Sequence, residues 1–357
     1  MRLIKENSPH INKDSSVKRM MLDVLIALVP VVVYSIVQFG FGAVSVLLIS
    51  IASMLLCEFI FVFLTNKKPY DGTKQKFIDR IKYAKSKATI NNILTPLISA
   101  VIFAMIMPAG AKWYYTLVGA VSGIVLGKLV FGGLGGNIFN PAALGRVITM
   151  VCFGSNIAYS KVTPLFGVDV MSGATPLGAL ANDLAVVNID TIKNLFIGTV
   201  SGSMGEVSKI CILAGGIYLI IRLSADFRVM LSMILSFALV MVVAGIKLTD
   251  NSVIFMLYQV LSGGLLFGAV FMATDPVTSP VTRPGRITFG IMIGLISALI
   301  RLVGAYPEGV AFAILISNMF VPVIDYYKWS TNKYSWKHFL IWGLMIAIVV
   351  VIVIFGL

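Results

Sequence analysis

The sequence predicts an all-α polytopic membrane protein, and three observations carry that reading. Hydrophobic residues make up 58% of the 357 residues and charged residues only 12%, where a soluble domain needs roughly 25% charged residues to cover its surface. The apolar residues fall in unbroken runs long enough to cross a bilayer as helices. The basic residues are segregated into alternate connecting segments. With a mean hydropathy of +0.96, the chain is excluded as a secreted disulfide scaffold or a nucleic-acid binder. Its net charge of +13 belongs first to membrane topology.

Eleven spans follow in order: 21–39, 41–65, 91–108, 113–131, 138–153, 207–223, 227–246, 253–272, 287–303, 308–326 and 339–357. The fifth reads as short and the tenth as interrupted. The first lacks a small-residue cleavage site and is followed at once by a second span, so it reads as a span and not as a signal peptide. With the N-terminus cytoplasmic, twenty lysines and arginines fall in inside segments, against Lys112, Lys161, Lys193 and Lys247 outside. Lys128, Arg146, Lys209 and Arg301 lie within or at the ends of spans. That bias sets the orientation.

The organisation follows: a cytoplasmic segment 1–20, a five-helix unit 21–153, an outside loop 154–206, a second five-helix unit 207–327, and a linker with an extra helix over 328–357. Lys128-Leu129-Val130 near the end of span four is echoed by Arg301-Leu302-Val303 near the end of span nine. Five spans separate the copies, an odd number, so the second copy runs the other way. That is the arithmetic of an inverted repeat, which places a site between the halves. The basic loop 66–90 reads as a solvated hairpin or amphipathic surface helix, with a docking role as the alternative.

Cys57, Cys152 and Cys211 form no CxxC pair, and His10 and His338 are far apart. No metal site is expected within this chain, and any redox cofactor it holds should be organic. Gly132 to Arg146 reads GGLGGNIFNPAALGR. Amides at membrane depth must be hydrogen-bonded, which leaves two readings for Asn137 and Asn140: helix caps, or ligand contacts. Met272 to Arg286 is proline-rich and resists helix. Asp275 within it is either a turn cap or a group on an ion path. Glu308 and Asp325 flank span ten, and acids in or beside spans are functional candidates by default. Glu58 in span two shares that status, whereas Asp23 reads as an interfacial bystander.

The loop 154–206 contains Asp169-Val170-Met171-Ser172-Gly173-Ala174-Thr175-Pro176. On its own this is a glycine turn ahead of a short helix with Pro176 in its first turn. It is also similar to the signal at which a flavin transferase links FMN to threonine through a phosphoester. With GGLGGNIFNPAALGR, GSMGEVSKI, FMATDPVTSP, YPEGVAF and VPVIDYY in order over about residues 20–327, the chain resembles the NqrB/RnfD family. That family comprises RnfD, a membrane component of the Rnf complex, and the related NqrB of the sodium-translocating NADH:quinone reductase. Length and a short N-terminus favour the RnfD branch, and span eleven departs from the family's ten-helix core.

The resemblance implies covalent FMN on Thr175, with Asp169, Ser172, Gly173 and Ala174 as its recognition signal. It also implies non-covalent riboflavin in the membrane near Asn137 and Asn140. The implied complex oxidises ferredoxin, reduces NAD+ and exports Na+ or H+ across the bacterial inner membrane, with Asp275, Glu308 and Asp325 as ion-path candidates. The other Rnf components (C, G, A, E and B) and a flavin transferase would be its partners. A flavin-free secondary transporter and a structural membrane anchor are the rival readings.

Overall fold

The computed structural model describes residues 16–65, 83, 86, 89–133, 135–154, 176–181, 189–198, 200–304, 309–326 and 329–356. Among them the secondary structure is helical, with no strand. The first unit comprises α1 Val17–Phe39, α2 Phe41–Thr65, α3 Asn91–Ile106, α4 Trp113–Gly127 and α5 Pro141–Phe153. Two short helices, α6 Pro176–Ala181 and α7 Ile189–Ile197, follow. The second unit holds α8 Lys209–Ile221, α9 Phe227–Leu248, α10 Ser252–Leu261, α11 Leu265–Met272, α12 Arg283–Val303 and α13 Val310–Ile324, with α14 Trp336–Gly356 last.

Six described helices are long and apolar enough to cross a membrane. The α10–α11 pair, bent by 60° at its break, has the composition of a broken span or a re-entrant loop, and α3, α5, α8 and α13 are shorter apolar helices in the remaining predicted spans. The break therefore falls in span eight and not in span ten. Ser262-Gly263-Gly264 makes it, with Gly263 at φ 64°, a conformation that costs a residue without a Cβ little. Span ten, read as interrupted, holds α13, and Pro322 in its last turn leaves that helix continuous. The ninth span begins at Arg283, four residues early, because Pro284 occupies a first-turn position where its missing N–H has no helical partner anyway.

The two units pair their helices alike. In the first, α2 packs on α3 and α4, α1 on α3, and α5 on α4 and α3. In the second, α9 packs on α10 and α12, α8 on α11, and α13 on α12 and α11. The units meet through α1 with α8 and through α5 with α13. These are equivalent helices, and a two-fold relation brings equivalents together. Close packing within each unit uses glycine: an added methyl at Gly123 of α4 would lie 2.5 Å from the Pro141 carbonyl oxygen, and Gly290 and Gly294 give α12 the same intimacy with α9. Such small-residue seams let helices associate where lipid supplies no hydrophobic drive.

Asp23 is no bystander. It is 2% exposed and accepts from Ser224 Oγ at 2.6 Å, Arg222 Nε at 3.2 Å and Tyr218 OH at 3.3 Å. A lone carboxylate near a span end reads as interfacial until its partners, some two hundred residues on, are known.

Several starts and ends of helices, among them those of α1, α8, α9 and α12, gather the basic residues at one end of the bundle. There Asp226 caps α9, accepting from the Arg228 N–H at 2.8 Å, and pairs with the Arg228 and Arg286 guanidinia. Burial works to raise its carboxyl, but the Arg228 N–H and the Arg286 side chain outweigh it and hold the group below the ordinary carboxylate range. A depressed carboxyl stabilises the fold above its unfolded pKa and ceases to as pH falls through its folded value. Asp226→Asn should therefore cost roughly 1–3 kcal/mol at neutral pH. In thermal unfolding in detergent, the gap to wild type should shrink as the pH drops below about 4.

Candidate functional site

Where the two units meet at the basic end, a cleft opens to solvent, about 810 Å³ with the open space at its mouth included. Its walls are mostly apolar, with Ile98 and Ile102 of α3, Leu219 of α8, and Val270 and Phe271 of α11. Its polar groups include Thr95, Lys128, Asn137, Asn140 and Asp275. Both units contribute, and irregular backbone at this depth is expected only beside a cavity or buried in protein.

Three sequence-predicted residues thus converge, each in a different role. Asn140 is the N-cap of α5: its Oδ1 accepts from the N–H groups of Ala142 and Ala143 at 3.0 and 3.2 Å, and its Nδ2 donates to the Met272 carbonyl at 3.2 Å. The cap reading holds for it, and the same amide ties the first unit to α11. Asn137 is half-buried and makes no side-chain hydrogen bond with another described residue. It offers the cleft both a donor and an acceptor. Asp275 caps its own turn, accepting from Val277 N–H at 3.3 Å and Thr278 Oγ1 at 3.0 Å, while still lining the cleft.

Two partners escaped the sequence reading. Lys128, 3% exposed, donates to Glu58 Oε2 at 2.8 Å and to Thr95 Oγ1 at 3.0 Å. A cation in the cleft wall is thereby neutralised from behind. Asn318 of α13 lies between the 275–280 segment and the cap of α5. With its amide oriented to satisfy both, it donates to Thr278 O at 3.2 Å and accepts from the Asn140 N–H at 3.1 Å. The available signal was an asparagine inside an apolar run.

The other candidates lie elsewhere. Asp325 is absent from the cleft lining; it ends α13 and accepts from the Val281 N–H at 2.9 Å, fastening the proline-rich segment. Glu308 and the group Asp169, Ser172, Gly173, Ala174 and Thr175 lie outside the described residues. Pro176, next to Thr175, opens α6, and its carbonyl accepts from Tyr258 OH of α10 at 2.8 Å. A cavity of about 290 Å³ beside it is lined by Leu195, Glu206 and Lys209. Glu206 also lines a cavity of about 380 Å³ with Arg146 and Met272. Among the described residues no cluster of three or more His, Cys, Asp or Glu could hold a metal ion.

The Glu58–Lys128 pair makes a quantitative expectation. Glu58→Gln leaves a buried ammonium without its counter-charge and should cost ~3–5 kcal/mol, whereas replacing both by methionine should recover most of that loss. Thermal unfolding of the two variants measures the difference. A double variant less stable than the single one would show that the pair's geometry, and not its neutrality, matters.

Comparison with known proteins agrees with this architecture. A family model described as the NQR2, RnfD, RnfE family matches residues 4–334. The D component of the proton-translocating ferredoxin:NAD(+) oxidoreductase complex of Clostridium ljungdahlii is 32% identical over 329 residues, covering 89% of this chain and 92% of that one. The D component of the Na(+)-translocating ferredoxin:NAD(+) oxidoreductase complex of Acetobacterium woodii is 32% identical over 327 residues, with 91% and 93% covered. The B component of the Na(+)-translocating NADH-quinone reductase of Chromohalobacter salexigens is 37% identical over 241 residues, with 66% and 58% covered. A helical core built from two similarly paired units thus coincides with a match over nearly the whole chain, and the protein belongs to the NQR2, RnfD, RnfE family.

Proposed function

We propose that this chain is the membrane electron-transfer subunit of an Rnf-type complex in a bacterial cytoplasmic membrane, with FMN esterified to Thr175 and riboflavin held in the basic-end cleft. The complex would couple ferredoxin oxidation and NAD+ reduction to export of Na+ or H+, with the C, G, A, E and B components as neighbours and a flavin transferase for maturation. The observation that carries the reading is the DVMSGAT segment ahead of Pro176, in a family whose relatives are named as subunits of such complexes.

The cleft's residues suit a neutral isoalloxazine. Asn137 would hold its polar edge, and the aliphatic walls with Phe271 would pack its faces. A bound flavin supplies one- and two-electron chemistry. The remaining work falls to this chain: Asn140 and Asn318 keep the cleft's floor in place, and Glu58 keeps Lys128 from presenting an unbalanced charge. On the outer loop, the Tyr258–Pro176 bond would tether the segment next to Thr175 to the second unit. A flavin fixed there stays at high local concentration near its redox partners. Asp275, Glu308 and Asp325 remain the acids proposed to hold a coupling cation, since hard cations favour carboxylate oxygens.

Two measurements test this. Produced with a flavin transferase, the denatured chain should carry one fluorescent flavin band that Thr175→Ala abolishes. Absence of flavin from wild type would favour the transporter or anchor reading. Asn137→Leu should leave that band intact while weakening retention of non-covalent flavin by roughly 5- to 150-fold, the equivalent of one lost buried partner at ~1–3 kcal/mol. Asn140→Leu should instead lower thermal stability, because it deletes a cap worth roughly 0.5–2 kcal/mol.

Orientation is tested separately. In intact cells an impermeant thiol reagent should label Leu165→Cys and spare Arg80→Cys, with Cys152 replaced by serine in both. The reverse pattern would invert the topology and place the Thr175 flavin in the cytoplasm.

A further inference from the structure

Helix α14 lies beyond the residues matched by the family model, yet it is fastened to the core near both ends. Trp342 Nε1 donates to Thr288 Oγ1 of α12 at 2.8 Å, and Lys247 Nζ of α9 donates to the carbonyl of Ile354. Between α14, the start of α12 and the end of α13 these anchors leave a groove of about 1260 Å³ at the basic end. Its apolar lining is Val323, Ile324, Ile341 and Trp342. Its rim carries Ser330, Thr331, Ser335, Lys337 and His338, and among the described residues no carboxylate lines it.

The rim is organised for an anion. The Ser335 N–H donates to His338 Nδ1 at 3.0 Å, which leaves the imidazole's other nitrogen as a donor. Lys337 is exposed, so its ammonium reaches water and headgroup without a burial cost. The Arg283 N–H bonds Asn332 Oδ1 at 3.2 Å, so the backbone at a second cation is tied to the same rim segment. Trp329 and Trp336 flank the rim with exposed rings, as aromatic side chains do at the headgroup level. A ligand matching all of this has a negative head with several acceptor oxygens and an apolar body reaching bilayer depth. A soluble anion lacks the body, and a zwitterionic lipid lacks the net charge.

We propose that this groove is a binding site for an anionic phospholipid of the leaflet at the basic end, its phosphate on the Lys337–His338 rim and its chains along Ile324, Ile341 and Trp342. Basic pockets between transmembrane helices recognise such headgroups. Occupancy would fill the wedge that α14 leaves open.

The full chain, reconstituted in nanodiscs of equal phosphatidylglycerol and phosphatidylcholine, should retain phosphatidylglycerol preferentially when its bound lipids are counted by native mass spectrometry. In detergent, short-chain phosphatidylglycerol should raise the melting temperature, and inorganic phosphate at the same concentration should not. Lys337→Glu should cut the preference by about fivefold or more, and Lys337→Gln by less. Lys193→Glu, an exposed lysine at a distant helix, should leave it unchanged. Equal retention of both lipids, equal stabilisation by phosphate, or an undiminished preference in Lys337→Glu would overturn the proposal. So would a cross-link from position 337 to another protein of the assembled complex, which would make the groove a protein interface.

Discussion

Short helices impose the constraint on which this structure is built. Helices α5 and α8 have 13 residues each, α13 has 15 and α3 has 16. At 1.5 Å per residue these reach about 20–24 Å, short of the ~30 Å hydrocarbon thickness. Their ends therefore lie inside the protein, where every free N–H and C=O needs a partner. The partners come from segments distant in sequence. Met204 N–H bonds the Met107 carbonyl at 3.1 Å, Ser35 Oγ bonds Met204 O at 2.8 Å, and the Asn140 amide bonds Met272 O at 3.2 Å.

Much of this was legible in the sequence. Hydropathy located the long apolar helices, since a run of apolar residues in a bilayer has few alternatives to helix. The Lys128 and Arg301 echo marked positions that do correspond: Lys128, just past α4, bonds α2 and α3, and Arg301, in the last turn of α12, donates to the Gln259 carbonyl of α10 at 2.6 Å. The amides of the GGLGGNIFNP segment were found as well, but cap and ligand readings were inseparable because both use the same residue beside the same proline. Geometry separates them, giving Asn140 to the backbone and leaving Asn137 to the cleft.

What stayed hidden depends on contacts between distant residues. Asp23 with Ser224 and Glu58 with Lys128 are pairs that no periodicity announces. The bend in span eight had a local signal in Gly263-Gly264, but glycine pairs also occur in continuous membrane helices. Only packing shows that an added methyl on Gly264 would meet the Glu206 carboxylate at 2.7 Å. Asn318 was obscured by its setting, since a single amide in an apolar run carries no hint of the two segments it joins.

The glycine seams have a consequence for motion. In the α4–α5 and α9–α12 pairs, backbone meets backbone or a short side chain, with little flexible material between to rearrange. A seam of that kind does not loosen by degrees, so each unit is stiff along its own spine. Compliance is left to the contacts between units, α1 against α8 and α5 against α13. A joint between equivalent helices is balanced about its axis: tilting one block narrows the gap on one face of the membrane as it widens the gap on the other.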